Sequence, residues 1–128
     1  MLDNIYNVLL PLYKEQELLE FYAQEVRQEV SDRAARVLET REEMERIKNE
    51  RENQTESSVR IYLMDKLVDL RRNEKHFAST VETSTLRLQS AEYFLDKVNT
   101  KIAGLERMVA SCFTVTQLER ILALKKNV

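Results

Sequence analysis

Glycine, proline, cysteine and histidine are nearly absent from this chain, since each occurs once among its 128 residues. Average usage would give a protein of this length about nine glycines and six prolines. Glycine and proline supply the turns, bulges and left-handed positions that a sheet with many connections requires. Their scarcity argues against hairpin-rich β folds, glycine-rich phosphate loops and dinucleotide-binding folds. The composition predicts instead an all-α protein made of a few long helices with few corners.

The shortage of cysteine and histidine also limits the chemistry that the chain can support. One cysteine cannot form an intrachain disulfide, and one cysteine with one histidine cannot complete a four-ligand structural zinc site. Helical bundles that bind two irons need Glu-x-x-His pairs on facing helices, which a single histidine excludes. We expect His76 to be solvated and Cys112 to be a small buried hydrophobe. The sequence therefore predicts no catalytic residue, no metal site and no cofactor.

Charge is abundant but balanced, with 20 Lys and Arg against 22 Asp and Glu and a formal net charge of −2. Proteins that bind nucleic acid usually carry a basic face, so we expect no nucleic-acid partner. The N-terminus reads Met-Leu-Asp-Asn, which is acidic where a secretory signal is basic. The apolar run at residues 8–12 is too short to span a membrane. We therefore expect a soluble cytoplasmic protein without membrane insertion.

Two helices are predicted before the main turn. The apolar residues that precede Pro11 lie at helical spacing, which predicts a short helix over residues 3–10. A kink then joins it to a long helix over 11–52, with Pro11 in the first turn, where its missing N–H costs little. Residues 49–58 contain no apolar side chain, and we place the main turn at 53–58.

Two more helices are predicted after the turn, and together the four form a single helical domain over residues 1–128. The second long helix covers 59–112, with Ser57 or Ser58 as its N-cap. The spacing Thr116-Gln-Leu-Glu119 matches a capping box and predicts a short helix over 117–126. Gly104 lies inside the second long helix, where it marks either a close helix approach or a slight bend.

A heptad pattern runs along both long helices. In the first, nine of thirteen seam positions are apolar, and the two rows are Leu9, Gln16, Ala23, Val30, Val37, Met44, Arg51 and Leu12, Leu19, Val26, Arg33, Thr40, Ile47. In the second, thirteen of fifteen are apolar, and the two rows are Leu63, Leu70, Phe77, Ser84, Ala91, Val98, Leu105, Cys112 and Leu67, Glu74, Val81, Leu88, Leu95, Ile102, Val109. The second pattern is typical of a coiled coil. Near Arg33 the first stripe is expected to drift toward Ala34 and Leu38, because the helical period is 3.6 residues.

The charges indicate how the long helices pair. Residues 11–56 carry a net charge of −5 and residues 57–128 a net charge of +4. Opposite charge on consecutive helices of similar length favours a long antiparallel two-helix coiled-coil hairpin with short N- and C-terminal helices. A heptad pattern does not specify which helix it packs against, however, so the seam closes either within one chain or between two chains.

A hairpin buries one stripe of each helix and leaves other apolar and charged surface for partners. The candidate partner-binding residues lie on the seam, on the basic cluster at residues 71–75, among the aromatic residues and on the last helix: Leu63, Leu70, Phe77, Tyr62, Arg71, Arg72, Lys75, Phe94, Leu118 and Leu122. Two alternatives stay open. The aromatic residues, Tyr6, Tyr13, Phe21, Tyr22, Tyr93 and Phe113 among them, form a binding surface or close a small core where helix ends meet. The basic cluster docks an acidic surface or is a solvated face.

The two long charged helices, with the segment Tyr62-Leu-Met-Asp-Lys-Leu-Val-Asp-Leu70 after a polar turn, show a resemblance over about residues 12–110. The chain resembles the coiled-coil central-stalk proteins of flagellar and virulence type III export ATPases. That resemblance implies a coiled coil inserted in an ATPase ring, which also contacts the export gate or chaperones. Small acidic helical secretion chaperones share the apolar ends of this chain.

These observations predict a non-enzymatic coiled-coil interaction or scaffold subunit of a larger cytoplasmic assembly, which holds protein partners or a second copy through its helical seams. The alternative is a type III secretion ATPase stalk or a small acidic secretion chaperone, which is what the resemblance implies.

Overall fold

The computed structural model describes the backbone of residues 2–112 and 114–126 and the side chains of residues 4–111 and 114–126. Three helices account for nearly all of this range: α1 (Leu2–Asn53), α2 (Ser57–Cys112) and α3 (Val115–Lys126). No strand occurs in the part of the chain that the structure describes, so the predicted all-α class is confirmed. The predictions for the Cys112 side chain and for Phe113 lie outside the described residues.

The separate short helix predicted over residues 3–10 does not exist, because α1 runs without interruption through Pro11. An interior proline costs a helix about 3 kcal/mol through its missing N–H and its clash with the preceding turn. Packing on both sides of Pro11 opposes that cost, since Ile5, Leu9 and Tyr13 are all buried in one hydrophobic cluster. These three residues share one face at the spacing of a continuous helix, so tertiary contacts override the local preference for a break.

The main turn consists of residues 54–56 and lies inside the predicted range 53–58. The Gln54 N–H donates to the Arg51 carbonyl at 3.2 Å and closes the end of α1. Because α2 already begins at Ser57, its N-cap is Glu56 and not a serine. The Ser58 hydroxyl donates to the Glu56 carboxylate at 3.0 Å. The predicted serine cap is therefore wrong, because the helix begins before either serine can occupy the capping position.

The capping box of α3 lies two residues earlier than predicted. The Gln117 N–H donates to the Thr114 hydroxyl oxygen at 3.4 Å, and the Thr114 N–H donates to the Gln117 side-chain oxygen at 3.0 Å. This reciprocal pair satisfies the S/T-x-x-E/Q pattern as well as Thr116 and Glu119 do. The predicted box is wrong because both spacings occur in the sequence and α3 begins at Val115.

The chain divides into two compact units. Unit 1 comprises Met1–Glu25 and Leu88–Val128, and unit 2 comprises Val26–Arg87. Both α1 and α2 contribute a segment to each unit. Residues at opposite ends of helices of 52 and 56 residues are too far apart to share a core.

Unit 1 has a buried hydrophobic cluster to which all three helices contribute. This terminal cluster contains Ile5, Leu9, Tyr13, Val98, Ile102, Val109 and Ile121. The side chains of α1 and α2 also bond directly, since the Gln16 amide donates to the Asn99 side-chain oxygen at 2.7 Å and the Tyr13 hydroxyl donates to Glu106 at 2.9 Å. Tyr13, which precedes Gln16 in α1, thus bonds Glu106, which follows Asn99 in α2.

Unit 2 has its own cluster beside the main turn, made of Met44, Ile47, Leu63 and Leu67. Val59 and Leu70 pack against it. The two helices are also linked by an ion pair between Arg41 and Glu74 at 3.1 Å. Glu29, which precedes Arg41 in α1, bonds Arg87, which follows Glu74 in α2. The bonded residues of the two helices therefore run in opposite order, as they do in unit 1.

Every seam position predicted from the heptads is buried or half-buried wherever its side chain is described. This includes polar members of the rows such as Gln16, Arg33 and Glu74. Of the two residues toward which the stripe was expected to drift, Leu38 is 58% exposed, so the prediction is wrong there, whereas Ala34 is half-buried. Strict seven-residue spacing therefore continues through the middle of α1, as expected when a neighbouring helix holds the seam in place.

Candidate interaction surfaces

Tyr13 connects all three helices of unit 1. Its hydroxyl donates to Glu106 Oε1, and the same oxygen accepts a bond from Lys125 Nζ at 3.3 Å. That ammonium also lies 5.5 Å from the centroid of the Tyr13 ring, within the range of a cation–π contact. Burial, followed by the hydrogen bond to Glu106 and its negative charge, raises the pKa of Tyr13 far above its ordinary value. The group therefore stays protonated and keeps donating.

A layer of polar side chains interrupts the seam of unit 2. Ser84 is fully buried, and its hydroxyl accepts a hydrogen bond from Arg33 at 2.6 Å. Arg33 also donates to the Thr80 carbonyl at 3.2 Å and pairs with Glu29, which pairs in turn with Arg87 at 3.0 Å. A polar group within an apolar seam reduces stability but fixes the alignment of two helices.

The three seam residues among the predicted partner-binding set differ in accessibility. Leu63 is 3% exposed and belongs to the cluster beside the turn, where the chain's own α1 covers it. Leu70 packs against the same cluster, and Phe77 is half-buried with the Arg36 guanidinium 5.9 Å from its ring centroid. Leu63 is therefore a core residue of unit 2, which places it outside any surface open to a partner.

The basic cluster at residues 71–75 lies on the surface. Arg71, Arg72 and Lys75 are exposed, and Arg72 makes a long contact of 4.0 Å with the exposed Asp69. Tyr62 is exposed nearby in the sequence, at 62%. Arg71 differs from its neighbours because it also lines a groove in unit 2.

This turn groove has a volume of about 340 Å³ and is partly open to solvent. It is lined by Met44, Lys48, Arg51, Glu52, Met64, Leu67, Val68 and Arg71. The floor is apolar and the rim carries three cations and one carboxylate. The Arg51 Nε atom is buried without a hydrogen-bond partner among the described residues. None of the ion pairs among the described residues includes Lys48, Arg51 or Arg71, so these three cations have no carboxylate partner there.

A second groove in unit 2, here called the mid groove, has a volume of about 350 Å³. It is lined by Ala34, Val37, Leu38, Arg41, Ala78 and Val81. Leu38, which the sequence suggested as part of a drifting seam, thus lies at a groove beside the seam. Elsewhere on unit 2, the hydrogen bond from Arg46 lowers the pKa of the half-buried Glu43.

Five of the large apolar side chains that unit 1 exposes are here called the aromatic patch: Leu18, Phe21, Tyr22, Tyr93 and Phe94. The three on α1 share one helical face by their spacing. The rings of Tyr93 and Phe94 meet edge to face, with centroids 5.5 Å apart. Gln16 of α1 bonds Asn99 of α2, and residues later in α1 lie beside residues earlier in α2. Phe21 is five residues after Gln16 and Phe94 is five residues before Asn99, so the two lie at the same height along the helix pair.

Some of the aromatic residues close a core, and others are exposed as a binding surface would require. Tyr13 is buried in the terminal cluster, and Tyr6 packs against it with its hydroxyl buried and without a partner in the described range. Phe21 and Phe94 are exposed at 67% and 54%. On α3, Leu118 packs against the terminal cluster, whereas Leu122 is exposed.

Gly104 does not mark a close helix approach, because a Cβ atom built there would meet no atom within 4 Å. It lines an open groove of unit 1 with a volume of about 680 Å³, bounded by Asn7, Val8, Pro11, Leu12, Thr100, Lys101 and Leu105. The single glycine and the single proline of the chain therefore lie on the same surface.

Within residues 2–112 and 114–126, no group of three or more His, Cys, Asp or Glu residues is arranged to hold a metal ion. Over the same residues, no helix has an apolar stretch long enough to cross a bilayer. Comparison with known proteins adds no relative, since no protein-family model, curated protein or solved structure matches this chain.

Proposed function

We propose that this protein is a non-enzymatic helical interaction subunit of a larger cytoplasmic assembly, which binds protein partners through surfaces beside its seam. The aromatic patch carries this proposal. Its five side chains remain exposed although each unit already has a closed hydrophobic cluster. Aromatic residues are enriched at the buried centres of protein interfaces, and large apolar patches on otherwise polar surfaces mark interaction sites.

We further propose that α1 and α2 pair as an antiparallel coiled coil that closes the seam within one chain. The order of bonded partners supports this pairing in each unit, from Tyr13 with Glu106 to Gln16 with Asn99 and from Glu29 with Arg87 to Arg41 with Glu74. The buried layer around Arg33 supports it too, because a shift of one heptad would leave that guanidinium facing an apolar row. Self-association then uses outer surfaces and not the seam.

The proposal is tested by affinity purification of the tagged full chain from its native cell. Two variants are compared with wild type: Phe21→Ser with Phe94→Ser in the patch, and Ile61→Ser with Val115→Ser as a control. The control residues are equally apolar and exposed at 63% and 71%, but lie outside the patch. Substitutions at such exposed sites change stability by about 0.5 kcal/mol, and circular dichroism checks that both variants stay folded.

We expect wild type and the control to retain one set of partners in stoichiometric amounts, and the patch variant to lose it. Equal recovery of partners by all three proteins would contradict the role of the patch. Recovery of no stoichiometric partner by wild type would contradict the proposal as a whole.

The second candidate function is a stalk of a type III export ATPase or a small secretion chaperone. It is favoured by the length of α1 and α2, which have 52 and 56 residues, whereas the third helix has only 12. The same purification distinguishes the candidates, because the stalk role requires an export ATPase among the recovered proteins, and the chaperone role requires secreted substrates.

A further inference from the structure

The two grooves of unit 2 repeat one arrangement at a distance of two heptads. Ala34 and Val37 line the mid groove, and the residues fourteen positions later, Lys48 and Arg51, line the turn groove. On α2, Met64 and Leu67 line the turn groove, and the residues fourteen positions later, Ala78 and Val81, line the mid groove. Both grooves therefore lie on the same side of the helix pair, displaced along it by about 20 Å at 1.5 Å per residue.

Two apolar recesses two heptads apart match the side chains of a helix. A cavity of about 150 Å³ accepts one benzene-sized apolar group, so grooves of about 340 and 350 Å³ each hold about two large apolar side chains. A helix that packs along a helix pair presents such side chains in pairs every seven residues, so pairs two heptads apart face both grooves.

The charge around the grooves selects the polar face of that helix. Lys48, Arg51 and Arg71 lie on the turn groove without carboxylate partners among the described residues, and Glu52 is the one acidic side chain in its lining. Lys75 stands one helical turn after Arg71 on the same face of α2. The chain as a whole is slightly acidic, so this concentration of positive charge is local. Unpaired cations beside an apolar floor complement carboxylates that flank apolar side chains.

We infer that the turn groove and the mid groove together bind one acidic amphipathic helix of a protein partner. The helix lies along α1 and α2, places apolar side chains two heptads apart into the two grooves, and sets glutamate or aspartate against Lys48, Arg51 and Arg71. The inference rests on the proposed function and names the class of partner. The surface differs from the aromatic patch, which lies in unit 1.

The test uses synthetic helical peptides of about 20 residues, which need no native partner. The probe is a fluorescent peptide with leucines at heptad spacing and glutamates on both flanks. One comparison peptide replaces the glutamates by lysines, and another keeps the composition but places the leucines out of heptad spacing. Binding to the full chain is followed by fluorescence anisotropy at low and at physiological salt.

The protein variants test the charge on the rim of the turn groove and the apolar lining of the mid groove separately. Lys48→Glu with Arg71→Glu reverses the rim, and Leu38→Gln makes the mid groove polar at a side chain that is 58% exposed. Lys14→Glu with Arg120→Glu is the control, since it makes the same change in net charge at exposed residues outside both grooves.

We expect the glutamate peptide to bind saturably, and more weakly as salt rises. The reversed rim should weaken it about tenfold and should let the lysine peptide bind instead, since each close charge pair changes from attraction to repulsion. Leu38→Gln should weaken binding several-fold, and the Lys14 and Arg120 control should not change it.

Four results would overturn the inference. In the first, the chain binds the glutamate and lysine peptides with equal affinity. In the second, it binds the peptide with displaced leucines as tightly as the glutamate peptide. In the third, the rim variant and the control variant lose equal affinity for the glutamate peptide. The fourth is self-association of the chain, or binding of a single-stranded oligonucleotide, that the rim variant abolishes and Leu38→Gln leaves intact. Because the peptides replace the native partner, this titration and the purification from cells can fail independently, so a failure of one is not a failure of the other.

Discussion

Tyr13 shows how one buried side chain joins separate helices. A tyrosine at 2% exposure must place its hydroxyl on a partner, and Glu106 accepts that bond from α2 while it also accepts one from Lys125 of α3. The sequence does not predict this contact, since Tyr13 and Glu106 are 93 residues apart and each residue type is common on helix surfaces. An apolar side chain at position 13 would fill the same space without the hydrogen bond to Glu106.

We predict that Tyr13→Phe lowers the free energy of unfolding by about 1–3 kcal/mol at neutral pH, because the removed bond has a charged acceptor. Glu106 keeps its ion pair with Lys125 in the variant. The raised pKa of Tyr13 makes this difference depend on pH. The hydroxyl's contribution is fully present below the ordinary pKa of 10.0 and is lost as pH rises above it, because only the unfolded chain ionises there.

Urea unfolding of both proteins, at neutral pH and about one unit above a pH of 10.0, measures this effect. The gap in stability between wild type and Tyr13→Phe should shrink at the higher pH. A gap that is constant or grows would show that Tyr13 does not carry the shifted ionisation.

At the scale of the element, helix ends depend on chemistry that a sequence pattern leaves ambiguous. α3 begins at Val115 because Thr114 and Gln117 exchange two hydrogen bonds, although Thr116 and Glu119 have the same spacing. α2 likewise begins at Ser57, the first of the two serines that were expected to cap it. In both cases the pattern locates the boundary within about two residues, and the choice between equivalent caps depends on how the preceding chain enters the helix.

We predict that Thr114→Ala weakens α3 by about 1 kcal/mol, because the variant loses the cap of the first turn. Thr116→Ala is the matched control, with an expected change below about 0.5 kcal/mol at an exposed position inside the helix. Hydrogen exchange of the α3 amides measures the local stability of this helix. Faster exchange in Thr116→Ala than in Thr114→Ala would favour the capping box originally expected from the sequence.

The long helices show which features a sequence alone predicts well. The heptad rows identify the buried face at every described position, including the buried Ser84 and the half-buried Arg33, because the same spacing is repeated along both helices and single exceptions do not obscure it. The expected break at Pro11 and the drift toward Leu38 are both wrong. Each expectation came from local preference, and packing against a second helix outweighs that preference.

At the scale of the whole molecule, the candidate surfaces are less predictable than the core. The basic residue Arg71 was a candidate from the sequence and lines the turn groove, whereas Lys48, Arg51 and Met64 of the same groove were missed. A groove forms between two helices, so its lining depends on which residues lie beside the seam on both of them. The available signal was the set of cations at positions on or beside the heptad rows.

The central claim is that each chain closes its own seam, which leaves the aromatic patch and the two grooves as the surfaces for partners. The most direct test replaces Cys112 by serine and introduces cysteines at Gln16 and Asn99, whose side chains meet at 2.7 Å. A second protein carries cysteines at Arg41 and Glu74, which meet at 3.1 Å in unit 2.

Each protein is treated with a short bismaleimide crosslinker over a range of protein concentrations and analysed by denaturing electrophoresis and intact mass. If one chain closes the seam, both proteins form crosslinked monomers in a yield that does not depend on concentration. Covalent dimers as the main product, already at the lowest concentration, would show that the seam joins two chains and would contradict the account.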